Sequence, residues 1–238
     1  MLERLLDEGL VNAVRRDAPA MSWTDLEQAR LAIEVGLGQP VGYTDHEARL
    51  IATHEAGHAV LAHLVAPQRR LEVLTIIKRA GSLGLLAHGD REDVFTRSRA
   101  ELQALICIAF GGQGAEDLFF GDVSTGPGGD LAYATNVAAQ MVGEVGMAGT
   151  LISFGAVQGS ALGDQGLVGR VLGDSQGRAM VEQVLREQRD RAATLLAEHR
   201  HLVEALRDAL LERHELIGSE ITDVLTAARI RKSAAGTR

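Results

Sequence analysis

Three residues whose types and spacing could do chemistry lie in "IATHEAGHAVLAH", residues 51–63. They are His54, Glu55 and His58. On a helix, residues four apart project from one face, so both imidazoles could bind a single Zn²⁺ at ~2.0–2.1 Å. Glu55 would stand beside the metal, where a base for a zinc-bound water is needed. Because zinc lowers the pKa of its water to about 7, the pattern predicts hydrolysis of a carbonyl group with an amine leaving group.

The alternative is two ordinary histidines on a helix surface or satisfied in the core. The apolar pattern from Leu50 to Leu64 favours the metal site, because it places the polar groups on or near a buried face, which is costly unless something binds them. Gly57 costs about 1 kcal/mol relative to Ala in mid-helix and predicts close packing against another backbone. A purely structural zinc is disfavoured, since such sites are rich in cysteine and Cys107 is the only thiol.

A catalytic zinc usually takes a third protein ligand and leaves a fourth position for water. The segment after His58 does not supply it, because Leu61 and Leu64 stand where the metzincin pattern has glycine and histidine. His63 falls on a different face of the helix. From the residues alone, six acidic side chains remain as candidates: Glu72, Glu101, Glu116, Asp117, Asp122 and Asp130.

The elements that must position these groups are mainly helical. Thr44 and Glu47 form a capping box that predicts the start of the motif helix. Residues 71–88 are rich in aliphatic and β-branched residues around "AGS" and predict a hairpin or a pair of short strands. We therefore expect a mainly α (α+β) fold with a small β element beside the H-E-x-x-H helix.

The rest of the chain divides into helical and glycine-rich zones. Two short helices are predicted within residues 1–40. Helical periodicity over 97–146 is broken by "GDVSTGPGGD" at 121–130 and returns at 178–213 with a break near His199. Residues 155–177 carry a glycine every three or four positions and predict a mobile loop.

Composition narrows the class of protein. The 238 residues are 46% hydrophobic and 24% charged, as in soluble globular domains. The net charge of -8 argues against nucleic acid as the main partner, and we expect the basic tail at 226–238 to be solvated. No apolar run is long enough to span a membrane, and the N-terminus is not a signal peptide. A single cysteine favours a reducing compartment, so we expect a cytoplasmic protein.

Several longer segments resemble the zinc peptidase domain of the FtsH family of AAA+ proteases. They are "HEAGHAV", "FGGQGAEDLFFGDVSTGPGGDLAYAT", "MVGEVGMAGTLISFG" and the C-terminal "LLAEHRHLVEALRDALLERHELIGSEI". The resemblance covers about residues 20–222 and implies a zinc peptidase domain over 41–225. It implies Zn²⁺ as the cofactor, with His54, His58 and Asp130 as metal ligands and Glu55 as the catalytic base. It also implies that Glu116 orients a ligand histidine, and that the 71–88 region lies beside the active site, where an extended substrate adds as a strand.

The resemblance also implies partners. Its substrates would be unfolded proteins or peptides, and its peptidase domains would form a homo-oligomeric ring of six. Residues 1–40 resemble the last helices of the family's ATPase lid and its linker, yet the sequence has no G-x-x-x-x-G-K-[ST] loop. The chain is therefore expected to be a zinc metalloendopeptidase that is a fragment or a stand-alone module, with a possible ATPase partner. The alternative is a non-catalytic or regulatory ring-forming module of a larger protease.

Two departures from the family pattern matter. The family usually has proline where Lys78 stands, and "GASND" where this chain has "GPGGD". The second change adds glycine flexibility just before Asp130, and we expect it to loosen zinc binding without abolishing it.

Overall fold

The secondary structure is mainly helical with one small antiparallel sheet, as the sequence predicted. The computed structural model describes residues 2–34, 36–39, 42–79, 83–156 and 166–235. The elements in chain order are α1 (Leu2–Arg15), α2 (Trp23–Glu34), α3 (Asp45–Val65), β1 (Arg69–Thr75), β2 (Leu85–Asp90), α4 (Arg99–Ala109), α5 (Gly111–Phe120), α6 (Gly128–Gly143), α7 (Leu167–Gly173), α8 (Ser175–Glu198), α9 (Arg200–Arg213), β3 (Glu215–Ile217) and α10 (Ser219–Ala235).

Helix α3 carries the H-E-x-x-H motif through the centre of the molecule. The predicted capping box starts it: the Glu47 amide donates to Thr44 Oγ1 at 3.2 Å, and the Thr44 amide donates to Glu47 Oε2 at 3.0 Å. Every residue from 51 to 62 is buried, because α4, α5, α8, α9 and the sheet all pack around the helix. A helix buried on all sides is normally apolar throughout, so its polar residues must be satisfied by specific partners.

The sheet has the order β2-β1-β3, with both outer strands antiparallel to β1. The strand pair predicted at 71–88 is confirmed as β1 and β2, with a register shift between Leu71 and Val73. Strand β3 was not predicted. It has only three residues between two helices, too short to show an alternating pattern, and it forms because Leu216 is buried beside Leu74.

The loop predicted over 155–177 is wrong for its second half. Residues 157–165 lie outside the described residues, but Leu167–Gly173 form α7 and α8 begins at Ser175. The reason is packing: Val171 is fully buried, and its Cγ2 would lie 2.3 Å from a Cβ placed on Gly143 of α6. The glycines here allow helices to approach closely, and burial of the apolar residues outweighs their low helix propensity.

The two ends of the described chain are helical. The two helices predicted within 1–40 are confirmed as α1 and α2, which pack on each other and are joined by an ion pair between Arg16 and Asp25 at 2.7 Å. The basic residues of the predicted tail continue α10 with exposed side chains up to residue 234. In the described ranges, we find no helix with the length and apolar character that crossing a membrane requires.

Candidate metal centre

Two elements bring three ligand atoms to one point. His54 and His58 lie one turn apart on α3, and their Nε2 atoms are 3.0 Å from each other. Asp130 lies in the first turn of α6, and its Oδ2 is 3.2 Å from His54 Nε2 and 3.3 Å from His58 Nε2. The helix dipole favours an anion at that end of α6.

The opposite nitrogen of each ring is held by a hydrogen bond. His54 Nδ1 donates to Glu116 Oε1 at 2.6 Å, and His58 Nδ1 donates to the carbonyl oxygen of Ile108 at 2.7 Å. Glu116 is itself fixed, because the Ser124 hydroxyl donates to its Oε1 at 3.0 Å. With both Nδ1 atoms acting as donors, both Nε2 atoms present lone pairs to Asp130. Three acceptors at van der Waals distance repel one another unless a cation or a proton lies between them.

The spacing of these acceptors fits Zn²⁺. Ligands bound tetrahedrally at ~2.0–2.1 Å lie ~3.3 Å from one another, close to the measured separations of 3.0, 3.2 and 3.3 Å. Among the described residues, His54, His58 and Asp130 are the one group of three or more such side chains that could hold a metal ion. Two imidazoles with one carboxylate leave a position open, as in catalytic sites.

The other five acidic candidates lie elsewhere. Glu116 is on the far side of the His54 ring from Asp130. Glu101 forms a capping box with Ser98, and Glu72 pairs with Arg30 and Arg70. Asp117 and Asp122 are exposed.

The carboxylates of Glu116 and Asp130 favour the protonated form of His54 when no metal is bound to the ring. Burial lowers the pKa of His54, but hydrogen bonds to Asp130 and Glu116 raise it by a larger amount. The resulting pKa is about 10. The pKa of Glu116 and that of Asp130 are lowered: burial opposes this, but the hydrogen bonds with the histidines prevail. The site therefore attracts a cation, and metal binding must displace a proton from His54.

Glu55 lies beside this cluster with its carboxylate in a cavity of about 720 Å³ that His54, His58 and Asp130 also line. Burial raises its pKa above the ordinary glutamate value, which makes the carboxylate a stronger base. Gly84 leaves the necessary space, because a Cβ there would lie 2.7 Å from Glu55 Oε1.

Glycines on α5 allow the histidines to take these positions. A Cβ on Gly112 would lie 2.3 Å from Nε2 of His54. The close backbone contact predicted for Gly57 is confirmed, since a Cβ there would lie 2.2 Å from the carbonyl oxygen of Gly111. Sequence reasoning missed Gly111, Gly112 and the Ile108 carbonyl. The one available signal was the Gly-Gly pair inside an otherwise helical segment.

The predicted position of the β element beside the site is confirmed. Residues 83–86 and His88, on and just before β2, form one wall of the cavity. Other residues that line the cavity are apolar, with Ile51, Leu105 and Ile108 among them.

A buried helix carrying H-E-x-x-H, with a carboxylate from a second helix closing a two-histidine cluster, defines a zincin-like hydrolase site. Residues 42–224 match the model of peptidase family M41, and the chain belongs to that family. The resemblance to the peptidase domain of FtsH is thereby confirmed.

Relatives align along nearly the whole chain. The ATP-dependent zinc metalloprotease FtsH 4 of Sphaerobacter thermophilus is 32% identical over 98% of this chain and 36% of its own length. FtsH of Acidimicrobium ferrooxidans is 34% identical over 92% of this chain and 34% of its own. FtsH of Thermus thermophilus is 33% identical over 94% of this chain and 36% of its own length. The chain thus spans about a third of the length of the curated relatives it matches.

Proposed function

We propose that this protein is a zinc-dependent endopeptidase that hydrolyses peptide bonds of unfolded protein. The observation that carries the proposal is the convergence of His54, His58 and Asp130 beside the buried carboxylate of Glu55. The names of the relatives, ATP-dependent zinc metalloproteases, support the same activity.

Each residue of the site has a distinct task in this proposal. The Nε2 atoms of His54 and His58, together with Asp130, bind Zn²⁺, which when bound polarises a carbonyl group and makes a water molecule more acidic. Glu116 and the Ile108 carbonyl keep both imidazoles in the tautomer and orientation that binding needs. Glu55 takes the proton of the attacking water and hands it to the leaving amine. Its raised pKa suits both steps, because the carboxyl group must gain and lose that proton near neutral pH.

Strand β2 supports an extended, unfolded substrate. Within the described ranges it is an outer strand of the sheet, paired with β1 alone, and it borders the cavity that contains Glu55. A peptide added along such an edge makes main-chain hydrogen bonds whatever its sequence. Most extended segments of a folded protein are already paired within its own sheets, so unfolded chains are the substrates we expect.

The test is cleavage of unfolded casein by the zinc-loaded protein. We expect cleavage that a zinc chelator stops and that Glu55→Gln abolishes while the variant still binds zinc, because that substitution removes the base and leaves the ligands. Asp117→Asn is the matched control, since this exposed side chain lies outside the site. Full activity of zinc-loaded Glu55→Gln would contradict the mechanism.

We further propose, from the family, a homo-oligomeric ring of six, an ATPase partner or attached ATPase region, and a location on the cytoplasmic side. The relatives are named as ATP-dependent and are about three times as long as this chain. The second candidate function is a non-catalytic ring-forming module. It is favoured by the same difference in length, because this sequence lacks the ATPase motif that would be needed to unfold substrates. Light scattering with the casein assay separates the two: rings that bind zinc but cleave nothing would favour the module.

A further inference from the structure

His88 is the one histidine of the cavity wall that the proposed mechanism does not use. It lies on β2 and lines the same cavity as Glu55, His54 and His58. Its side chain is half-buried.

Arg69 holds the His88 ring at one edge, through Nδ1. Arg69 Nε donates to His88 Nδ1 at 2.9 Å, and Arg69 Nη1 donates to Asp90 Oδ1 at 2.8 Å. The guanidinium is always charged and carries donors only, so Nδ1 must be the acceptor and the neutral ring carries its hydrogen on Nε2. Burial, with the charge of Arg69, lowers the pKa of His88 to about 4, and the ring stays neutral at pH 7.

The Nε2–H group of His88 has no acceptor within the described parts of the protein. Its only hydrogen bonds are those made through Nδ1 and the main chain. Nε2 is not among the partnerless atoms sealed inside the described structure, so it is accessible to solvent, and His88 is one of the residues that line the cavity. The ring thus presents a fixed donor to whatever occupies that cavity.

We propose that His88 is a substrate-binding residue whose Nε2–H donates a hydrogen bond to a backbone carbonyl of the bound peptide. The inference rests on the proposed peptidase function. A peptide lying along β2 carries carbonyl oxygens past this position, and part of the surrounding wall is apolar. Because Arg69, itself paired with Asp90, already holds the ring, little conformational entropy is lost when the hydrogen bond forms.

Binding of a fluorescent, unstructured peptide tests this directly. It is measured by anisotropy on zinc-loaded Glu55→Gln, which holds the peptide without cleaving it. Adding His88→Leu should weaken binding about tenfold, the factor expected for one lost neutral hydrogen bond. Adding His88→Gln keeps an N–H donor and should stay within about threefold of the parent. Arg70→Met is the matched control: this neighbouring arginine is largely exposed and pairs with Glu72, and its loss should leave binding unchanged.

Kinetics and spectroscopy separate this role from a structural one. With Glu55 present, His88→Leu should raise KM about tenfold with little change in kcat or zinc content. In ¹⁵N spectra the His88 ring should show the Nε2–H tautomer, and added peptide should shift that resonance. Unchanged affinity in His88→Leu, an equal loss in His88→Gln, or an Nδ1–H tautomer would overturn the inference.

Failure of the proposed function gives a different result. Cleavage that depends on Glu55 but not on His88 overturns the inference alone. Absence of both peptide binding and Glu55-dependent cleavage overturns the inference together with the proposed function.

Discussion

Glu116 and Asp130 contact the same histidine from opposite nitrogens, and this divides their roles. Glu116 holds Nδ1 of His54 at 2.6 Å, whereas Asp130 faces Nε2 at 3.2 Å. Glu116 is fully buried and orients the ring. Asp130 Oδ2 lies 3.2 and 3.3 Å from the two Nε2 atoms, which is the position that the proposed third ligand requires.

Glu116→Gln should therefore lower the zinc affinity of the site without abolishing zinc binding. The amide oxygen still accepts from His54, but the negative charge that favours the metal is gone. We expect about a 10–100-fold loss of zinc affinity or activity, measured by competition with a chelator of known affinity. Asp117→Asn, the exposed neighbour, should change neither. Complete loss of the metal in Glu116→Gln would show that Glu116 is itself a ligand.

The protonation of His54 gives the site a pH dependence of known sign. Hydrogen bonds to Asp130 and Glu116 raise the pKa of the metal-free ring to about 10. Between about pH 7 and 9 the metal must displace this proton, so apparent zinc affinity should rise about tenfold per pH unit. Calorimetry in buffers of different ionisation enthalpy should show release of at least one proton per bound zinc. An affinity independent of pH across this range would show that His54 is already neutral.

At the scale of elements, the contact between α3 and α5 sets the position of both histidines. The two helices meet at Gly57 and Gly111 with no room for a side chain. The α5 residue Gly112 then lies against the His54 ring. A shift of α5 would move Glu116 and the histidine that it holds.

Gly57→Ala tests this contact. The new Cβ would lie 2.2 Å from a backbone oxygen that cannot rotate away, so we expect about 1–3 kcal/mol of destabilisation in urea unfolding and weaker zinc binding.

Gly128→Ala is the matched control. It lies at the start of α6 with nothing within 4 Å of the new Cβ. It should be neutral or stabilise the protein by about 0.4–1 kcal/mol. By stiffening the "GPGGD" segment it should also tighten zinc binding slightly. Equal changes in stability and zinc affinity for Gly57→Ala and Gly128→Ala would contradict the proposed close contact between α3 and α5.

Elements with strong local signals were predictable from the sequence, and those made by tertiary contact were not. The capping box at Thr44 and the apolar run around His54 were sufficient to place α3. Strand β3 and helix α7 depend on burial of Leu216 and Val171 against distant partners, which no local pattern reveals.

The candidate site divides in the same way. Residue types and spacing selected His54, Glu55 and His58, but reasoning from the residues left six acidic candidates for the third position. The resemblance to FtsH selected Asp130, which the structure places next to the histidines. The backbone group that completes the site, the Ile108 carbonyl, carries no signal in side-chain sequence.

At the scale of the whole molecule, the candidate centre connects two helices, α3 and α6, that otherwise make few direct contacts. Helix α6 packs mainly against α4, α7 and α8, whereas α3 packs mainly against α5, α9, α4 and β1, so the two helices share α4 as a neighbour but have little contact with each other. The carboxylate of Asp130 reaches across the cavity to the α3 histidines. A bound metal would therefore hold α6 to α3, and losing its ligand should release the metal and loosen this link.

The zinc content of purified protein, with and without Asp130→Ala, tests the central claim most directly. After dialysis, the wild-type protein should retain about one zinc per chain, and Asp130→Ala should retain almost none. Its far-UV circular dichroism should stay helical, because the substitution lies at a partly exposed helix start. If Asp130→Ala keeps its zinc while Glu116→Gln loses it, the ligand assignment is reversed, and Glu116 rather than Asp130 is the third ligand of the metal.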